Sequence, residues 1–62
     1  MNNFRGMPIL KSDGRVILCY SQFDMGAKYK IYTRHESGSY QYSISFDSIT
    51  RASEYFNRMN KQ

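Results

Sequence analysis

Tyr40-Gln41-Tyr42-Ser43-Ile44-Ser45-Phe46-Asp47-Ser48-Ile49 is the stretch that decides the fold. Through Phe46 the large apolar residues alternate strictly with Gln41, Ser43 and Ser45, the period-two pattern of a strand with one dry and one wet face. Beyond Phe46 the period lengthens: Ile49, Ala52, Phe56 and Met59 fall on one stripe of a helix, with Arg51, Tyr55, Arg58 and Gln62 opposite. Asp47 or Ser48, each with a side-chain oxygen that can accept a free first-turn N–H, is the expected helix cap. The chain therefore turns from sheet to helix at about residue 47, and the helix is predicted over residues 48–60.

Upstream, Gly14, Gly26 and Gly38 are spaced twelve residues apart, each inside a polar cluster: Ser12-Asp13-Gly14-Arg15, Asp24-Met25-Gly26-Ala27 and Glu36-Ser37-Gly38-Ser39. Turn signals at such intervals predict a meander. The strands they delimit are 7–12, 15–21, 28–34 and 40–46. Asp13-Gly14 suits a two-residue hairpin turn. Pro8 has no N–H to donate, so the first strand is expected at a sheet edge or short and irregular. Val16, Ile17, Leu18, Cys19 and Tyr20 are apolar at every position, as in a strand with apolar contacts on both faces. The expected fold is α+β, a four-stranded antiparallel β-meander with one C-terminal α-helix packed on one face, in a single small domain of residues 1–62.

With 62 residues and a formal charge of +4, a chain of this size buries only about 60% of its extended surface, too little for two domains or a deep catalytic pocket. Cys19 is the lone cysteine and no apolar run approaches a membrane span, which argues against disulfide scaffolds, zinc ribbons and transmembrane helices. Met1 to Leu10 lacks the apolar centre of a signal peptide, and the expected compartment is a reducing one, the cytoplasm. His35, the only histidine, stands in a turn with Glu36 as its one acidic neighbour, and Cys19 sits among apolar residues without a base. Neither forms a catalytic or metal-ligating constellation, so no enzyme activity, metal or cofactor is expected.

Residues 1–35 hold six basic and two acidic side chains, residues 36–62 three of each, so the whole net charge belongs to the first three strands. With the helix over the Tyr29, Ile31, Tyr42, Ile44 and Phe46 side, the other sheet face is expected bare. It would present Lys28, Lys30, Tyr32 and Arg34 beside Gln41, Ser43 and Ser45, together with either Ile17 and Cys19 or Val16, Leu18 and Tyr20. An apolar centre beside Tyr and Arg has the composition enriched where partners dock. The predicted partner-binding residues are Arg15, Ile17, Lys28, Lys30, Tyr32, Arg34 and Gln41, and an apolar strip with open strand edges also allows a homodimer.

At Phe46-Asp47-Ser48, entering a short helix that carries Tyr55 and Phe56 after a strand meander, the chain resembles small phage-encoded anti-CRISPR proteins, notably inhibitors of type I surveillance complexes. The resemblance covers about residues 15–59 as an arrangement and assigns Asp47 and Ser48 to the helix start. It implies a non-enzymatic protein in the host cytoplasm that binds a larger protein or nucleoprotein and sterically blocks the surface that target nucleic acid or a nuclease needs. The build is also similar to DNA-binding domains that lay a sheet into the major groove. That likeness implies Lys28, Lys30 and Arg34 on phosphates and Tyr32 or Gln41 near bases.

Overall fold

The computed structural model describes residues 3–60. Five strands and one helix follow each other in the order β1 (Asn3–Phe4), β2 (Met7–Asp13), β3 (Val16–Tyr20), β4 (Tyr29–Arg34), β5 (Tyr40–Phe46) and α1 (Ile49–Asn60). Every pairing is antiparallel, and the spatial order is the chain order. The α+β class and the C-terminal helix are as expected. The strand count is corrected from four to five, because residues 3–8 form a hairpin of their own. Its two-residue turn is Arg5-Gly6, with φ of 51° and 81°. Two positive φ values are what a type I′ turn requires, and they match the right-handed twist of the flanking strands.

The second hairpin is shifted one residue from the expected position. Asp13 and Val16 pair, leaving Gly14-Arg15 as the turn, with positive φ only at Gly14 (53°), the pattern of type II′. Arg15 thus belongs to the turn and not to the strand. The helix begins after Ser48, whose carbonyl accepts the Ala52 N–H at 3.0 Å, so of the two expected caps Ser48 holds the position.

Two β-bulges decide which side chains share a face. In β5, Ile44 stands opposite Ile31 while Tyr42 stands opposite Tyr32, so Ser43 is an extra residue and the strand changes face across it. Ile44 and Phe46 point toward the helix, and Tyr40 and Tyr42 point away. The expected single face of Tyr40, Tyr42, Ile44 and Phe46 is therefore corrected. Gln41, opposite Thr33, moves to the helix side. The second bulge is at Leu10, between the pairs Ile9↔Cys19 and Lys11↔Leu18; it bends β2 and lets the β1–β2 ribbon fold over the sheet.

Two apolar clusters result, one on each face. Under the helix, Val16, Leu18, Ile31, Ala52 and Phe56 are buried, with Tyr29, Ile44, Phe46, Tyr55 and Met59 packed around them. On the other face Ile17, Cys19 and Tyr32 are buried beneath Phe4, Met7, Ile9 and Tyr40. This resolves the register of β3: Val16 and Leu18 face the helix, Ile17 and Cys19 the ribbon, which is why the strand is apolar throughout. Two helix positions depart from the expected stripe. Ile49 is exposed at the open end of the first turn, and Tyr55 leans back over Phe46 with ring centroids 5.5 Å apart.

Candidate interaction surface

The bare cationic face predicted from the sequence is closed. Ile17 and Tyr32 are 3% and 6% exposed, because the Phe4 ring lies over Tyr32 and the Arg5 guanidinium stands 4.9 Å from the Phe4 ring and 5.6 Å from that of Tyr32. A third layer of chain thus crosses the residues expected to form the apolar centre. The sequence reading omitted it because Phe4 and Arg5-Gly6 stand alone, without the alternation that marks longer strands.

Arg15, Arg34 and Gln41 remain exposed. Arg15 and Arg34 adjoin at one end of the sheet, where the Arg34 N–H donates to the Arg15 carbonyl at 2.7 Å and the Tyr40 hydroxyl donates to the Gly14 carbonyl at 3.0 Å. A shallow concavity of about 410 Å³ opens there, bordered by both arginines, Asp13, Thr33 and Met59. Lys28 and Lys30 lie toward the other end and are half-buried. The structure therefore divides the seven predicted residues into two surface groups and a buried pair.

Lys30 has an acidic partner that strand parity did not disclose. Its Nζ lies 2.6 Å from Asp24 Oδ2 and 6.0 Å from the centroid of the Tyr42 ring. The hydrogen bond from the Lys30 ammonium, and then that from the Ser21 side chain, hold the Asp24 carboxyl below its usual range. Hydrogen bonding to Asp24 in turn pushes the Lys30 ammonium up. This pair ties the middle of the β3–β4 loop to β4. The loop is closed again where the Ser21 N–H donates to the Lys28 carbonyl at 2.7 Å, and the Asp24 N–H donates to the Ser21 carbonyl at 3.4 Å.

What the loop holds outward is apolar. Phe23 is 84% exposed and Met25 100% exposed, two large hydrophobic side chains two residues apart on a segment tied at both ends. Single exposed apolar residues are ordinary on protein surfaces. Here the backbone is already ordered by the Asp24–Lys30 pair, so docking these side chains costs less conformational entropy than docking a free loop. The sequence carries a signal for them: Met25 inside the Asp24-Met25-Gly26-Ala27 turn cluster and Phe23 just before it.

Cys19 is fully buried and burial pushes its thiol up to about 11, so it is protonated at neutral pH and a poor nucleophile. His35 is exposed in the β4–β5 turn. Among the described residues no three of His, Cys, Asp and Glu gather as a metal site, and no helix is long and apolar enough to cross a membrane. Compared with protein-family models, curated proteins and solved structures, the chain matches none.

Proposed function

We propose that this chain is a non-enzymatic binding protein that sterically inhibits a larger protein or nucleoprotein partner, in the manner the anti-CRISPR resemblance implies. The observation that carries the proposal is the outward presentation of Phe23 and Met25 by a loop pinned through Asp24 and Lys30. Aromatic and methionine side chains are enriched at interface centres, and a preordered loop loses little freedom on docking. Lys28 at the foot of the loop supplies a positive rim, which suits a partner whose apolar recess is bordered by carboxylates.

Direct nucleic-acid binding comes second. Lys30 is neutralised by Asp24, Tyr32 is buried and Gln41 lies on the other face, which leaves Lys28, Arg15 and Arg34 from the predicted phosphate-binding surface. Each phosphate contact adds about 0.9 to the salt slope of binding, so a duplex or single-strand mobility shift at two salt concentrations separates the two. A partner-binding protein retards neither probe. The direct test of the proposal is capture from nuclease-treated lysate of the native host with the wild type and with a Phe23→Ser, Met25→Ser variant. Loss of the captured partner with the variant is expected, and equal capture by both refutes the proposal.

A further inference from the structure

β5 is the last strand of the sheet, and its outer edge carries neither charge nor proline, the bulge at Ser43 being its one guard. Tyr40–Phe46 contains no charged residue and no proline, although the chain carries nine basic and five acidic side chains. Open edges are normally blocked with lysine or proline because their free N–H and C=O groups accept another strand. The direction of those groups follows from β4. Arg34 donates its N–H to the carbonyl of Arg15, just before β3, so its main-chain groups face away from β5, and the pair Arg34↔Tyr40 is an unbonded one. Alternation along the ladder makes Tyr32↔Tyr42 unbonded as well. The N–H and C=O of both Tyr40 and Tyr42 thus point off the open edge.

The sequence at that edge reads the same in both directions: Ser39-Tyr40-Gln41-Tyr42-Ser43. In an antiparallel pairing of two copies the two-fold axis sets each residue opposite its mirror position, so this palindrome sets tyrosine opposite tyrosine and serine opposite serine. We propose that β5 pairs with β5 of a second copy of this chain about an axis at Gln41. Tyr40 of one copy meets Tyr42 of the other in two bonded pairs, each exchanging two N–H···O bonds. Gln41 faces Gln41 of the second copy across the closer, unbonded position. On the side away from the helix, Tyr42, 55% exposed in the single chain, gains the ring of Tyr40 from the second copy, a cross-strand aromatic pair.

A neutral edge is also where two chains of charge +4 approach with least opposition. Arg34 of each copy is separated from its counterpart by both β5 strands, three strand spacings of about 4.8 Å, beyond a Debye length of about 8 Å at physiological salt. The Ser43 bulge ends the regular pairing just past Tyr42, so the interface is short. It falls below the area of a stable dimer, and the dimer is populated at about 1 mM and dissociated at about 10 µM. The dimer surface is distinct from the β3–β4 loop, so it neither requires nor excludes the proposed partner.

Sedimentation velocity and an amide NMR dilution series test it on the intact chain. The expected result is a rise toward twice the monomer mass with concentration, and amide shifts centred on Tyr40 and Tyr42. Gln41 is exposed, so Gln41→Lys and Gln41→Glu both fold. Each alone sets like charges across the axis and weakens association about fivefold or more, and an equimolar mixture of the two restores it. A wild type that stays monomeric at millimolar concentration overturns the proposal and leaves the edge to a different strand. Shifts centred on Phe23 and Met25, or a mixture no more associated than its components, overturn it equally.

Discussion

The rings of Phe4 and Tyr32 lie with centroids 4.8 Å apart, inclined at 57°, so a residue from the first hairpin seals the central tyrosine of β4. The same Phe4 ring meets Tyr40 edge-on at 5.5 Å. These contacts fasten a two-residue strand that has little pairing of its own, and they turn the second face of the sheet from a docking surface into a small core.

Replacing Phe4 by Ala removes the lid from Tyr32, Ile17 and Cys19. For a half-buried ring the loss is about 2 kcal/mol of stability, read as a lower urea midpoint, and the Cys19 thiol becomes accessible to alkylation in the folded protein. A variant of unchanged midpoint and unchanged thiol protection contradicts the placement of the ribbon.

Cys19 gives the fold an alkaline limit. Its folded pKa of about 11 exceeds the ordinary 9.0, so the folded chain keeps a proton that the unfolded chain releases. Its contribution is fully present below pH 9 and is lost as pH rises from there through 11, with a slope approaching 1.36 kcal/mol per pH unit. Thermal melts between pH 8 and 11 check this against Cys19→Ala, whose stability lacks that component of the decline.

All four expected strands and the helix are present as β2 to β5 and α1: β3, β4, β5 and α1 each carry their own periodicity or apolar run, and β2 is delimited by the Asp13-Gly14 turn signal. The faces were not legible. A bulge leaves no mark on an alternating string, and Tyr42 and Ile44 read as one face until Ser43 is found unpaired. Parity within β4 sets Tyr32 on the side of Lys30 and Arg34, as found, and leaves both registers of β3 open for Ile17. It erred on exposure, because the cover comes from Phe4 and Arg5, whose hairpin is too short to announce itself. Asp24, likewise, stands in a cluster of turn-forming residues, and its ion pair with Lys30 depends on how the β3–β4 loop folds back.

The Asp24–Lys30 pair sets the pH range over which the loop is pinned. The lowered carboxyl contributes above the ordinary aspartate value and is lost as pH falls through the folded one. The raised ammonium contributes below the ordinary lysine value and is lost as pH rises through its own. Amide exchange at residues 21 and 24, whose N–H groups close the loop, is therefore expected to quicken in strong acid, and at neutral pH in Asp24→Asn, while the global melting midpoint of that variant stays near wild type because solvent-screened pairs contribute little. Equal exchange of these two amides in wild type and variant at neutral pH contradicts the pinning.

The most direct measurement sets two variants side by side in capture from nuclease-treated host lysate, with folding of each verified by near-ultraviolet circular dichroism. One carries Phe23→Ser and Met25→Ser, the other Lys28→Ala and Arg34→Ala. With the interface at the loop tip, the first loses its partner and the second retains most of it, as rim charges contribute little beside buried anchors. Retention by the loop variant, with loss in the basic one, contradicts the assignment and returns the interface to the cationic residues.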